Sequence, residues 1–172
     1  TDAIDNAAGV NMSDHEVNLK ILLAGELFKK RNRLLRSVAD TVATQCLTDN
    51  KEQAIALSLA ELTAQHHLPR LLHLQQHLYK KKRLAFLEED AALLVLRPVL
   101  SEWLGHEKNR VHDALDQAKF FEESIFGPTF LVQYFPAPLH KKYHDQILKH
   151  PLAADIAHTR ITSYILNRYG LT

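Results

Sequence analysis

The sequence predicts an all-α protein, an irregular bundle of about six to eight helices. Two observations carry that expectation. Apolar residues recur every three or four positions along most of the 172-residue chain, the period of one helical face, and no stretch alternates convincingly with the period of two that a strand needs. Proline and glycine fall where these periodic runs begin or end.

The first helix is expected to open at Ser13. Ser13 and Glu16 have the S-x-x-E spacing of a capping box, in which each side chain satisfies a backbone N–H near the helix start. Val17, Ile21, Ala24 and Phe28 then follow on one face. A second helix is expected from Arg31 to Leu47, with Leu34, Val38, Val42 and Cys46 aligned. Thr48-Asp49-Asn50 should stop it and open a third, whose buried face carries Ile55, Leu59 and Leu62. Pro69 suits the first turn of a fourth helix, marked by Leu71, Leu72, Leu78 and Tyr79.

The stretch 79–97 turns from Lys80-Lys81-Lys82-Arg83 to Glu88-Glu89-Asp90, a charge reversal expected of a solvated connection. Pro98 fits the first turn of a long fifth helix carrying Leu100, Leu104, Val111, Leu115 and Ala118. Gly127-Pro128 should break the chain, a short segment should reach Tyr134-Phe135, and Pro136 and Pro138 should bracket a turn. Of two remaining helices, one runs from about Leu139 to Lys149 with Tyr143 and Ile147 in phase. The last starts at Pro151 and shows Leu152, Ile156, Ile161, Tyr164 and Ile165 around most of its circumference, as a buried helix does. Gly170 is placed to cap it. No repeat at a fixed period is present, which excludes a solenoid.

Composition bounds the function. Hydrophobic residues make up 46% and charged residues 24% of the chain, so a core can form without disulfides or a structural metal. With 21 basic and 20 acidic residues there is no general field to attract nucleic acid or an anionic membrane. The lone cysteine, Cys46, has apolar neighbours and reads as a buried free thiol; a reducing, cytoplasmic setting is the expectation that follows. No apolar run is long enough to span a bilayer. The opening Thr1-Asp2-Ala3-Ile4-Asp5-Asn6 has neither an initiator Met nor a signal segment, and the expectation is a piece of a larger polypeptide.

Few residues invite chemistry. His73 and His77 stand four apart and could face one ion on a helix, but no supporting carboxylate or cysteine lies at a helical spacing, so no metal site is assigned. The basic run at 80–83 has no stacking platform or recognition helix beside it and is opposed by the acidic cluster that follows, so nucleic-acid binding is not expected. There is no Gly-rich phosphate loop and no G-x-S-x-G. The segment from Asn6 to Glu16 differs: small residues around Gly9 lead into a helix start at Ser13, where convergent N–H groups would favour a carboxylate. On the residues alone, Ser13 is either such a contact or simply a cap.

Asn6-Ala7-Ala8-Gly9-Val10-x-x-Ser13-x-x-Glu16 resembles the N-A-G-G-V-x-x-S-x-x-E segment near the end of the catalytic region in amino-acid dehydrogenases of the glutamate dehydrogenase type, departing at Ala8. The longer string from Thr1 to Asn18 is similar to the large bacterial NAD-specific glutamate dehydrogenases in particular. So are Asp49-Asn50-x-x-Gln53-x-x-Ala56-Leu57-Ser58, Arg97-Pro98, Tyr134-Phe135-Pro136-x-Pro138-Leu139, and His150-Pro151-Leu152 through Asp155-Ile156-Ala157, Thr159, Asn167 and Gly170. The sequence departs from the family where 23–31 and 86–97 are short, and where Leu96 replaces the threonine that would cap the Arg97-Pro98 helix.

The resemblance implies oxidative deamination of L-glutamate to 2-oxoglutarate and ammonia with NAD as hydride acceptor. By position it gives Ser13 the side-chain carboxylate of glutamate and Val10 the wall of the pocket. It places the substrate-orienting lysines, the catalytic aspartate and the nucleotide-binding unit elsewhere in the polypeptide, so no catalytic or cofactor-binding residue is expected in this chain and the isolated chain is expected to be inactive and not to bind NAD. Residues 1–30 would end the catalytic region and 31–172 would form a carboxyl-terminal helical domain, with the rest of the polypeptide and further copies in a homo-oligomer as partners. The alternative is a free-standing, non-catalytic helical interaction or oligomerisation module.

Overall fold

The computed structural model describes residues 7–171, and every regular element among them is helical. In chain order these are α1 (Ala7–Leu22), α2 (Phe28–Thr63), α3 (Leu68–Lys80), α4 (Ala91–Leu94), α5 (Arg97–Gln117), α6 (Phe120–Glu123), α7 (Phe126–Tyr134), α8 (Ala137–Leu148) and α9 (Ala153–Tyr169). The all-α expectation holds. Two of the nine described helices, α4 and α6, are single turns; the other seven form the bundle.

The largest correction concerns α2. The expected stop at Thr48-Asp49-Asn50 does not occur, and one helix of 36 residues replaces the second and third. Polar residues inside a helix disrupt it when their side chains compete for the backbone. Here Thr44 and Thr48 donate instead to the carbonyls of Asp40 and Thr44, each at 2.8 Å, and Asp49 is paired to another helix. Up to Cys46 the expected face is right: Val38, Val42 and Cys46 are buried. Beyond it the face is wrong, since Ile55, Leu59 and Leu62 are exposed while Gln53, Ala56 and Leu57 face inward.

α2 is about 54 Å long at the helical rise of 1.5 Å per residue, and it joins two separate cores. One collects Leu19 and Leu22 of α1, Val38, Val42 and Cys46 of α2, Leu131 of α7, Tyr143 and Ile147 of α8, and Ile156 and Ala157 of α9. The other gathers Leu57 of α2, Leu71 and Leu78 of α3, Leu94 of α4, and Leu100 and Trp103 of α5. α9 packs against α5, α7 and α2 and so crosses the boundary between them. Glu26, in the turn after α1, ties that turn to α2 through Lys30 at 2.5 Å and to α8 through Lys142 at 3.0 Å and the Tyr143 hydroxyl at 2.5 Å.

The proline signals are mostly sound. Pro69 and Pro98 sit in the first turn of their helices as expected, where a missing N–H costs nothing; Pro136 and Pro138 do not bracket a turn but stand at the N-cap and in the first turn of α8, and α9 starts at Ala153, two residues after Pro151. Leu96 precedes α5 without a side-chain cap. In α3 the turn signal was right but half the face was not: Leu71 and Leu78 are buried, and Leu72 and Tyr79 are exposed. The connection 81–90 is irregular and largely exposed. Gly127-Pro128 starts α7 instead of breaking the chain. α8 and α9 bury Tyr143, Ile147, Ile156 and Ile161 as expected, whereas Leu152 and Tyr164 are open to solvent. Gly170 closes α9 at φ 79°, with its N–H on the carbonyl of Leu166 at 3.0 Å.

Two glycines should respond oppositely to a methyl group. A Cβ on Gly127 would lie 2.8 Å from the Cα of Phe121, and backbone cannot step aside cheaply, so Gly127→Ala should cost about 1–3 kcal/mol. Gly105, in the middle of α5, has nothing within 4 Å of its Cβ position, so Gly105→Ala should add about 0.5–1 kcal/mol. Urea midpoints at unchanged slope would check both signs.

Candidate functional site

The capping box does not form. Ala7 and Ala8 are strong helix formers, and α1 runs back through Gly9 to Ala7, which leaves Ser13 in the helix interior instead of at its start. Glu16, expected to reach back to Ser13, pairs forward with Lys20 at 2.5 Å, the favourable Glu-to-Lys orientation four apart. The carboxylate-friendly backbone corner inferred at 9–13 is therefore absent; Asn6 of the motif lies outside the described residues. The buried side of α1 is His15, Asn18, Leu19 and Leu22, not Val17, Ile21, Ala24 and Phe28. Val10 is 60% exposed and Ser13 is exposed, one turn apart on the outward side.

A cleft of about 370 Å³ opens where α1, α2, α5, α7 and α9 meet, in the seam between the two cores. Val10 reaches it; Ser13 is not among its lining residues. The seam is polar because α2 there presents Asp49, Asn50 and Gln53. Asp49 receives Arg160 of α9 at 2.5 Å, and Lys108 of α5 donates to the side-chain oxygen of Gln53. At the α1 edge the Tyr134 hydroxyl donates to Asp14 at 2.8 Å, and the amide of Asn18 donates to both Tyr134 at 2.9 Å and Asp14 at 3.2 Å. The His15 ring lies flat on Tyr134, centroids 4.0 Å apart and planes 6° from parallel.

Burial dominates the electrostatics. It lowers the pKa of Lys108, opposed by the nearby Asp49 carboxylate, and lowers His15, with Asp14 opposing. It raises the Tyr134 phenol well beyond its ordinary value, so that hydroxyl stays a donor. Four buried polar atoms on residues that line the cleft have no hydrogen-bond partner among the described residues: His15 Nδ1, Asn50 Oδ1, Thr162 Oγ1 and Asn167 Oδ1. Native interiors leave few such atoms. The arrangement is suited to holding a small polar molecule.

Cys46 is buried and unpaired, its thiol pushed up by burial, which fits a structural role. His73 and His77 are exposed on α3, and among the described residues no group of three or more His, Cys, Asp or Glu could hold a metal. The basic run 80–83 is exposed. Among the described residues no helix is long and apolar enough to cross a membrane. Sequence reasoning overlooked Lys108 and Arg160 altogether, since neither belongs to a local motif. Asp49-Asn50-x-x-Gln53 was the available signal: three polar side chains on one face of an otherwise continuous helical pattern.

Two family models match the chain: the catalytic domain of bacterial NAD-glutamate dehydrogenase over residues 1–60, and the glutamate dehydrogenase C-terminal family over residues 93–172. Among curated proteins, the NAD-specific glutamate dehydrogenases of Pseudomonas aeruginosa, Halomonas elongata and Mycobacterium tuberculosis are 33%, 32% and 30% identical over 100%, 99% and 100% of this chain. The chain spans 12% of the length of each. No solved structure matches it.

The buried histidines fix an acid response. His15, His150 and His158 all lie below the ordinary value of 6.5, burial being the first cause in each. Above 6.5 folded and unfolded chains are both neutral at these rings and stability is whole; below it the unfolded chain takes up protons that the fold resists, and stability is lost. The urea midpoint should therefore fall between pH 7.5 and about pH 5. His158 is 1% exposed with both ring nitrogens unpartnered, so His158→Leu should flatten part of that slope.

Proposed function

The chain belongs to the family of large bacterial NAD-specific glutamate dehydrogenases, and from that premise we propose that it supplies one wall of such an enzyme's glutamate site together with the helical domain that braces it. In this reading residues 1–30 end the catalytic region and 31–172 form the helical domain, the division falling within the first turn of α2. The reaction is oxidative deamination of L-glutamate to 2-oxoglutarate and ammonia, with the hydride passed to NAD. NAD supplies the hydride acceptor, but the residues here do not fit it: the described chain has no strand and no Gly-rich turn to cradle a pyrophosphate. The dinucleotide, the orienting lysines and the catalytic aspartate are assigned to the rest of the polypeptide.

The observation that carries this reading is the two-sidedness of α1. His15, Asn18, Leu19 and Leu22 pin one side into the bundle, and the opposite side presents Val10 and Ser13 to whatever packs there. The Ser13 hydroxyl is free to donate to the side-chain carboxylate of glutamate, and Val10 offers an apolar wall to its methylenes. Both residues stand on a helix held by a core, which fixes their spacing. The exposed Ile55, Leu59 and Leu62 stripe of α2 supports the second part of the proposal, a bracing surface for the rest of the polypeptide or for other copies in a homo-oligomer. The cytoplasm is the compartment this metabolic role implies.

In the full-length enzyme, Ser13→Ala removes one hydrogen bond to a charged group, about 1.5–3 kcal/mol, and should lower kcat/KM for glutamate about 10- to 150-fold. Because Ser13 caps nothing, the melting temperature should stay put. Unchanged kinetics would overturn the assignment. The isolated 172-residue chain should give no saturable heat with NAD in a calorimetric titration.

A further inference from the structure

We propose that two copies of this chain associate by setting the basic start of α2 in one against the acidic end of α5 and α6 in the other. Each face carries an exposed apolar pair, Leu27-Phe28 on the first and Ile125-Phe126 on the second.

The charges stand where a single chain disfavours them. Residues 26–36 hold Lys29, Lys30, Arg31, Arg33 and Arg36 against one carboxylate, Glu26. Lys29, Lys30 and Arg31 lie in the first turn of α2, which contains no acid, although a helix start already carries partial positive charge. Lys30 is paired with Glu26, and Arg31 lies over the Phe28 ring. Lys29, Arg33 and Arg36 are exposed and, at spacings of four and three, share one side of the helix. Among the described residues none of these three has an ion-pair partner.

The reverse arrangement closes α5. Asp113 and Asp116 stand near its end, and its last turn holds no base, where the helix terminus is already negative. Glu122 and Glu123 follow in α6, and Lys119 is the one cation between 113 and 123. α6 packs on both α5 and α9, and Asp116, Glu122 and Asp155 all act on the buried His158 ring. These carboxylates therefore share one end of the bundle. They are exposed, and among the described residues none forms an ion pair.

Charge complementarity selects a second copy as the occupant. An anionic polymer or membrane would meet the basic face and leave the acidic one unanswered; a copy meets both. The chain as a whole is nearly neutral, at +1, so copies do not repel one another while their unlike faces attract. Leu27 is 81% and Ile125 83% exposed, and burying the two pairs adds contact that charges alone do not supply. Such faces are small beside a stable interface, which makes the association weak and concentration-dependent. Unlike faces meet either twice about a two-fold axis or head to tail, and both raise the mass. This contact goes beyond the bracing role given above to the Ile55, Leu59 and Leu62 stripe, and it does not involve Ser13.

Sedimentation equilibrium of the 172-residue chain tests this. In about 0.01 M salt the average mass should climb above the 19.6 kDa monomer between about 10 μM and 1 mM protein. In about 1 M salt, where the Debye length is about 3 Å, it should return to the monomer. Arg33→Glu/Arg36→Glu and Glu122→Lys/Glu123→Lys should each remain monomeric. An equimolar mixture of the two should associate again, because each supplies the face that the other lacks. Ile125→Ser should weaken association several-fold, and Leu59→Glu should leave it unchanged. A monomer throughout, association that persists in high salt, unaltered association in Ile125→Ser or either double variant, or no recovery on mixing would each overturn the proposal. So would loss of association in Leu59→Glu, which would assign the contact between copies to the α2 stripe instead.

Discussion

The structure depends on α2 staying one helix across a polar seam. At about 54 Å it is the member that belongs to both cores, and its middle turns, 49–53, are also its least apolar. A helix interrupted at Asp49 would leave two small clusters, each too poor in buried area to hold a 172-residue chain together. The contact that permits continuity is Asp49 with Arg160, 2.5 Å apart and part-buried on both sides. It ties α2 to α9 at the level where neither core reaches. Removing one partner would leave the other charge in the seam, where it costs more than the pair contributes.

That contact also explains why the cleft exists. Two apolar cores in register would close on one another and exclude water, whereas a band of Asp49, Asn50, Gln53, Lys108 and Arg160 cannot be packed dry. The seam is held open by side chains whose charges and dipoles need partners. The polar network at its α1 edge does a second job, since Asp14, Asn18 and Tyr134 lock the register of α1 against α7. His150 adds a further link, its Nε2 lying 3.2 Å from the backbone carbonyl of Asn18.

The fold class and the proline-marked starts of two helices, at Pro69 and Pro98, were legible in the sequence, because helical periodicity and missing N–H groups are local properties. So was the run Val38, Val42, Cys46. What failed was non-local. Thr48-Asp49-Asn50 has the composition of a stop, and only Arg160, 111 positions away, makes it an interior. Ile55, Leu59 and Leu62 have an impeccable helical spacing, yet the second core lies on the side of Ala56 and Leu57. Periodicity shows that a face exists without saying what lies opposite it. Ser13 failed for a local reason: Ala7 and Ala8 propagate the helix past a side chain well suited to capping it. The cleft had no motif to announce it, since its lining comes from five helices.

These two kinds of site place different demands on the scaffold. The Val10–Ser13 face is a surface on one helix, so its geometry follows from how α1 is seated, and that seating is polar on one edge and apolar on the other. Leu19 and Leu22 set depth, because apolar contacts are short-ranged but tolerate sliding. Asn18 sets register, because its two hydrogen bonds and its carbonyl contact are directional. A shift of one residue along α1 would carry Asn18 away from Tyr134 and rotate Val10 and Ser13 by about 100°. The polar edge therefore contributes positional accuracy more than net stability. A network that is satisfied in only one arrangement is the means by which a mostly apolar bundle presents two small side chains at a defined spacing.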